Sequence, residues 1–220
     1  MRVFFTSCAI ALSLLVLDAV LGIASVGHSR ATAFSPVHLR ETARPVFDRQ
    51  RYFPPGVFSS NGWQDRFKAS WYSKALTAMK EPSLSLPRKR KTETYRFLWL
   101  RSFDNPIVVR IWRSESNVNL VTKQLDGDGG HHPGKLVVTK ARTLSNKEWG
   151  EFTKYLEQSS YWTLPTDIGD IGNDGAQWVL EGARENRYHV VDRWSPKNGS
   201  YREACFYLLE LSGLKLGKIY

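Results

Sequence analysis

QWVLEGARENRYHVVDRW, residues 177–194, is the stretch on which the fold turns. Residues 177–183 and 188–194 are rich in aromatic and β-branched side chains and flank Arg184-Glu185-Asn186-Arg187, the composition of two strands joined by a short turn. If Arg184 pairs with Arg187, then Glu181 stands opposite Val190, Trp178 opposite Arg193 and Gly182 opposite His189. The period of two then sets Glu181, Tyr188, Val190, Asp192 and Trp194 on one face. Arg193 against the Trp178 indole would form a cation-π pair on the other face.

Working outward, the hairpin joins an antiparallel meander. Residues 95–101 and 107–113 flank the turn Phe103-Asp104-Asn105-Pro106, and residues 118–125 and 135–143 flank a Gly-rich turn at 126–134. Between these four strands and the hairpin, Ser145 and Glu148 have capping-box spacing, with Trp149, Phe152, Tyr155 and Leu156 on one helical face. A Gly- and Asp-rich loop at 166–175 follows. After the hairpin, Ser200 and Glu203 frame a last helix with Ala204, Tyr207, Leu208 and Leu211 on its apolar face and Gly213 as its stop. The order β-β-β-β-α-β-β-α reads as α+β, an antiparallel sheet with helices packed on one face.

The chain has 220 residues, 42% hydrophobic, and its eight Trp, nine Tyr and eleven Phe predict an aromatic core. Three regions are expected. Residues 1–33 form a signal peptide or signal anchor: an apolar run follows Met1-Arg2, and Ala31-Thr32-Ala33 has the small residues of a processing site. Asp18 inside the run weighs against the anchor, and both readings stay open. Residues 34–91 form a basic, Pro-rich arm with one short amphipathic helix. Ser60 or Asn61 caps that helix, Trp63, Phe67, Trp71, Ala75 and Met79 form its stripe, and Glu81-Pro82 ends it. Arg66, Lys68, Lys74 and Lys80 make it basic, suited either to an anionic membrane surface or to docking on its own domain. Residues 92–220 form the globular α+β domain.

The formal charge is +10, and its distribution matters more than its sum. Residues 34–91 hold twelve Lys and Arg against four Asp and Glu, whereas residues 92–220 hold seventeen against sixteen. A nearly neutral domain argues against a nucleic-acid-binding face. Cys8 lies in the leader, which leaves Cys205 as a single thiol in a helical apolar setting, the mark of an inert core cysteine.

The run Asp174-Gly175-Ala176-Gln177-Trp178-Val179-Leu180-Glu181-Gly182, followed by Tyr188-His189-Val190-Val191-Asp192-Arg193-Trp194-Ser195-Pro196 and the Leu-rich last helix, resembles a family of uncharacterised bacterial proteins with a DGAxWxxEG...YHxxxRWSP core. The resemblance covers roughly residues 95–214 and implies a shared fold without an activity.

Three constellations could carry chemistry. Glu181 and Asp192, diagonal neighbours in the hairpin, could divide acid and base roles with His189 as a further base, if a pocket enclosed them. On an open sheet face they are only polar side chains. Asp126, Asp128, His131 and His132 in the Gly-rich loop have the composition of a cation site. They miss the EF-hand pattern, since no glutamate stands at the end of a twelve-residue loop that begins at Asp126, and a long hairpin turn explains them as well. Asp167, Asp170 and Asp174, spaced by glycines, have the same two readings. Asn198-Gly199-Ser200 matches a glycosylation acceptor. No motif implies a cofactor.

The resulting expectation is an extracytoplasmic protein, periplasmic, secreted or membrane-anchored, that serves as a non-enzymatic binding or accessory module. Its basic arm would meet a membrane surface or an envelope protein. The alternative is a small extracytoplasmic hydrolase using the carboxylates and His189.

Overall fold

The computed structural model describes residues 51–86, 92–115, 117–130, 132–170 and 172–220. The leader, the first part of the arm, the basic run 88–91 and His131 lie outside them. The helices are α1 (Gly62–Ala78), α2 (Asn146–Gln158) and α3 (Ser200–Leu211), with one 3₁₀ turn at Tyr161–Thr163. The strands are β1 (Glu93–Arg101), β2 (Ile107–Arg113), β3 (Val118–Leu125), β4 (Leu136–Leu144), β5 (Ala176–Arg184) and β6 (Arg187–Trp194). They form one antiparallel sheet in the order β4-β3-β2-β1-β5-β6, so the fold is α+β.

The hairpin register is the one read from its composition: Arg184 pairs with Arg187, Glu181 with Val190, Gly182 with His189 and Trp178 with Arg193. The crossover through α2 returns β5 to the free edge of β1, which puts β1 in the interior of the sheet. After Glu93, its run TYRFLWLR is buried throughout, as a strand covered on both faces must be.

One face carries Tyr95, Phe97, Trp99, Ile107, Val109, Ile111, Trp178, Leu180 and Val191 against Trp149, Phe152 and Leu156 of α2 and Ala204, Cys205 and Leu208 of α3. The capping box of α2 forms as its spacing predicts, with Ser145 and Glu148 exchanging hydrogen bonds. For α3 the structure corrects the expectation. Ser200 is the first helical residue and caps nothing; Gly199, at φ 97°, is the N-cap and makes no side-chain bond. The Trp178–Arg193 pair is also corrected. Arg193 lies 5.7 Å from the Tyr201 ring centre and donates to the carbonyls of Thr166 and Pro165, which a loop would otherwise leave unsatisfied. Trp178 is faced instead by Arg202 at 5.7 Å.

The second face is covered too, and by the arm. Tyr52, Phe53 and Phe58, with Tyr72, Ala75, Leu76 and Met79 of α1 and its end, pack on Leu98, Leu100, Val108, Val179 and Val190. The arm therefore does not end where the domain begins: residues 51–86 supply one of its layers, because the sheet's second face is too apolar to leave in water. Two polar devices fix this layer. Asn61 caps α1, accepting from the amides of Trp63 at 3.0 Å and Gln64 at 3.3 Å. Asp65, buried within α1, accepts from the amides of Gly56 at 2.8 Å and Phe58 at 2.9 Å, and so ties the preceding chain to the helix.

The orientation of α1 corrects the first part of the stripe read for it, Trp63 and Phe67, and buries its last two members, Ala75 and Met79. The buried face is Asp65, Tyr72, Ala75, Leu76 and Met79, whereas Trp63 and Phe67 are 66% and 52% exposed. Among the described residues, no helix is long and apolar enough to cross a membrane.

Candidate functional site

The covered face carries charges that the register alone cannot neutralise, and α1 and the chain just after it bring their partners. Near the C-terminal end of α1, Arg96 of β1 donates Nε to Glu181 Oε2 at 2.7 Å and forms a second short contact through Nη2. Tyr188 donates to the other carboxylate oxygen at 2.9 Å. Glu81, just past α1, receives Arg110 and Lys123, each at 2.8 Å, and faces Arg96 at 3.7 Å. Burial raises the Glu181 pKa above the ordinary carboxylate value despite Arg96. Burial acts in the same direction on Glu81, but Arg110, Arg96 and Lys123 outweigh it and hold that carboxyl low.

Toward the N-terminal end of α1 lies a separate cluster. Lys68 donates to Asp167 at 2.6 Å and to Asp192 at 2.9 Å. Tyr72 and Gln177 donate to Asp192 at 2.8 and 2.6 Å, and Gln177 also reaches the Tyr72 hydroxyl at 2.9 Å. Burial raises the Asp192 pKa, with Lys68 opposing it. For Lys68 burial works against the charge, yet its two carboxylates outweigh that and keep Nζ above the usual lysine value.

The expected acid-base set is thus not brought together. Glu181 and Asp192 share a face but belong to different networks, each committed to its own cation. His189 points to the other side of the sheet, with its ring 5.2 Å from Tyr161 and 6.3 Å from Trp162. Burial lowers its pKa, and Arg187 and Arg193 add to the effect. Burial pushes the Cys205 thiol up, which leaves it protonated and inert.

In the Gly-rich loop the carboxylates face their own backbone. Asp126 accepts from the Lys135 amide at 2.6 Å, and Asp128 from the amides of Gly130 at 2.9 Å and His132 at 3.3 Å. This is turn chemistry. Among the described residues no cluster of three or more His, Cys, Asp or Glu has the arrangement to hold a metal ion; His131 lies outside them. The loop has a structural task instead. Gly129 donates its amide to the Arg101 carbonyl at 2.9 Å, and a Cβ there would collide with the Arg101 backbone. Its own carbonyl accepts from Trp71 Nε1 at 2.7 Å, which pins α1 to the sheet end.

Above the Lys68 cluster opens a cavity of about 340 Å³, within the range that holds small ligands. Trp63, Phe67 and Trp71 form one wall, and Trp194, Asp167, Asp170 and Gly172 the other, with Lys68 and Gln177 between them. The Trp63 and Phe67 rings stack with centroids 5.6 Å apart and an interplanar angle of 10°. Opposite, the 166–175 loop presses on Trp194: a Cβ on Gly172 would collide with the indole at Nε1. Asp170 accepts from the Trp194 amide at 2.9 Å through one oxygen. Its other oxygen, Oδ1, is shielded from water and has no donor among the described residues.

Of the cleft residues, Asp167 and Asp170 stand out in sequence as a spaced acidic loop. The joint role of Lys68, Tyr72, Gln177 and Trp194 does not, since their meeting depends on where α1 docks. A signal was present: Tyr72 and Leu76 stand beside Ala75 and Met79 at helical spacing, which leaves Trp63 and Phe67 in excess of what one buried face needs. Compared with models of known protein families and with curated proteins, the chain finds no match.

Proposed function

We propose that this protein is a non-enzymatic binding module acting outside the cytoplasm, with the cleft between α1 and the 166–175 loop as the seat of a small ligand. The observation that carries the reading is the pair of large aromatic rings, Trp63 and Phe67, stacked and exposed on the wall of a cavity. Such rings cost solvation when left in water and are kept where a ligand covers them. The hydrolase alternative needs Glu181, Asp192 and His189 to converge, and their division between two networks and two faces favours binding. The leader read at 1–33 supports an envelope or secreted setting, and the basic segments of the arm support a membrane surface or an envelope protein as its neighbour. The resemblance to bacterial proteins with a DGAxWxxEG pattern is compatible with this reading and brings no activity with it.

The test is a titration of monosaccharides, amino acids, quaternary ammonium ions and short-chain fatty acids, read by intrinsic tryptophan fluorescence. One class is expected to give a saturable change that is lost in the Trp63→Ala, Phe67→Ala double variant. If no class saturates, or if the response survives both substitutions, the cleft is not the seat. Fractionation of cells producing the full chain tests the location; recovery only from the cytosol would refute it.

A further inference from the structure

We infer that the cleft takes a small organic cation, of the alkylammonium or quaternary ammonium class; this rests on the cleft being a ligand seat. Three features select that chemistry, the first being the walls. They offer π faces, whose quadrupole is negative above the ring and attracts a positive charge. The second is charge. The charged groups at the cleft are Lys68, Asp167 and Asp170, with Asp192 directly behind Lys68, so one cation meets three carboxylates and the balance is negative.

The third is that the donors at the floor of the cleft are taken, which leaves the indole N–H groups of Trp63 and Trp194 and the Gln64 amide at its walls. Lys68 is held by two carboxylates, Trp71 Nε1 by the Gly129 carbonyl and Gln177 Nε2 by Asp192 and Tyr72, so these three donors are already committed. A sugar asks a site for donors as well as acceptors around its hydroxyls. A methylated ammonium asks for neither; it needs aromatic faces and a nearby negative charge. A fatty acid would bring a carboxylate to a site already in negative excess.

Calorimetric titration of the full chain with choline and with its uncharged isostere 3,3-dimethylbutan-1-ol decides the matter. Choline is expected to bind at least about tenfold more tightly than the isostere, and to weaken as salt screens the carboxylates. Phe67→Leu, at an exposed position that does not threaten folding, is expected to weaken choline by roughly tenfold with little change for the isostere. Asp170→Asn should do the same, with an unchanged thermal transition as its folding control. Equal binding of the two compounds overturns the cation and leaves the cleft as an apolar seat. Saturation by another class in the fluorescence panel with no choline binding likewise overturns the inference alone. No binding by any compound overturns both.

Discussion

Among single side chains, Arg96 carries the most consequence. It lies wholly inside the protein with Glu181 on one side and Glu81 on the other; burial works against its charge, and those carboxylates outweigh the burial and keep the guanidinium ionised. Removing one partner of such a pair strands a charge, whereas removing both strands none and leaves only the Tyr188 hydroxyl and the Pro82 carbonyl short of a partner. Arg96→Leu is therefore expected to cost about 3–5 kcal/mol, and the double variant Arg96→Leu, Glu181→Leu to recover a large part of it, read from urea unfolding midpoints. His189 supplies the pH dependence. Its pKa is depressed from 6.5 by burial first and by Arg187 and Arg193 in addition. Between its folded value and 6.5 the unfolded chain binds more protons than the native one. Its contribution to stability is thus complete above pH 6.5 and lost as pH falls through the folded value. Unfolding midpoints at pH 7.5 and 5.5 are expected to differ less in His189→Gln than in the natural sequence.

Of the secondary-structure elements, α1 best separates what the sequence makes legible from what it does not. Its cap is readable to within one residue, Ser60 or Asn61, because such a side chain before a helical run has one common use, and the structure selects Asn61. So is the β5–β6 register, because the period of two leaves one pairing once the turn is chosen, and it puts Glu181 and Asp192 on the right face. The face of α1 is not readable. The stripe Trp63-Phe67-Trp71-Ala75-Met79 reaches the sheet only through its last members, beside Tyr72 and Leu76, while Trp63 and Phe67 turn outward. Asp65, Lys68 and Tyr72 have their partners in other parts of the chain, at Gly56 and Phe58, Asp167 and Asp192. Only docking reveals these matches. Asp65 tests the point, since its carboxylate joins the 51–58 segment to the helix. Asp65→Ala leaves two amides without their acceptor and is expected to cost about 1–3 kcal/mol, together with faster hydrogen exchange at Gly56 and Phe58. Unchanged exchange at those two amides would show that the segment is held by Phe53 and Phe58 packing alone.

Across the fold, the sheet is the middle of three layers, and composition misleads about the first of them. A segment with a strong positive charge, several prolines and breaker pairs reads as linker, yet residues 51–86 deliver Tyr52, Phe53, Phe58, Tyr72, Leu76 and Met79 to the core. The apolar run Phe97-Leu98-Trp99-Leu100 of β1 is the counter-signal: a sheet with one wet face alternates, whereas this strand is buried on both sides. The same layer neutralises the sheet's charges, for Glu81 meets Arg96 and Arg110, and Lys68 meets Asp192. A chain beginning at residue 92 would keep the six strands and α2 and α3, and would expose Leu98, Leu100, Val108, Val179 and Val190 while leaving Asp192 without its lysine. Each of those side chains returns roughly 1.5–3 kcal/mol on burial, so their joint exposure is comparable to the whole stability of an ordinary domain. The truncated chain is expected to aggregate or to show no cooperative thermal transition, whereas a chain beginning at residue 51 is expected to retain all three layers and its transition. A cooperative, soluble 92–220 fragment would mean that the α1 layer is an accessory to the sheet and not part of its core.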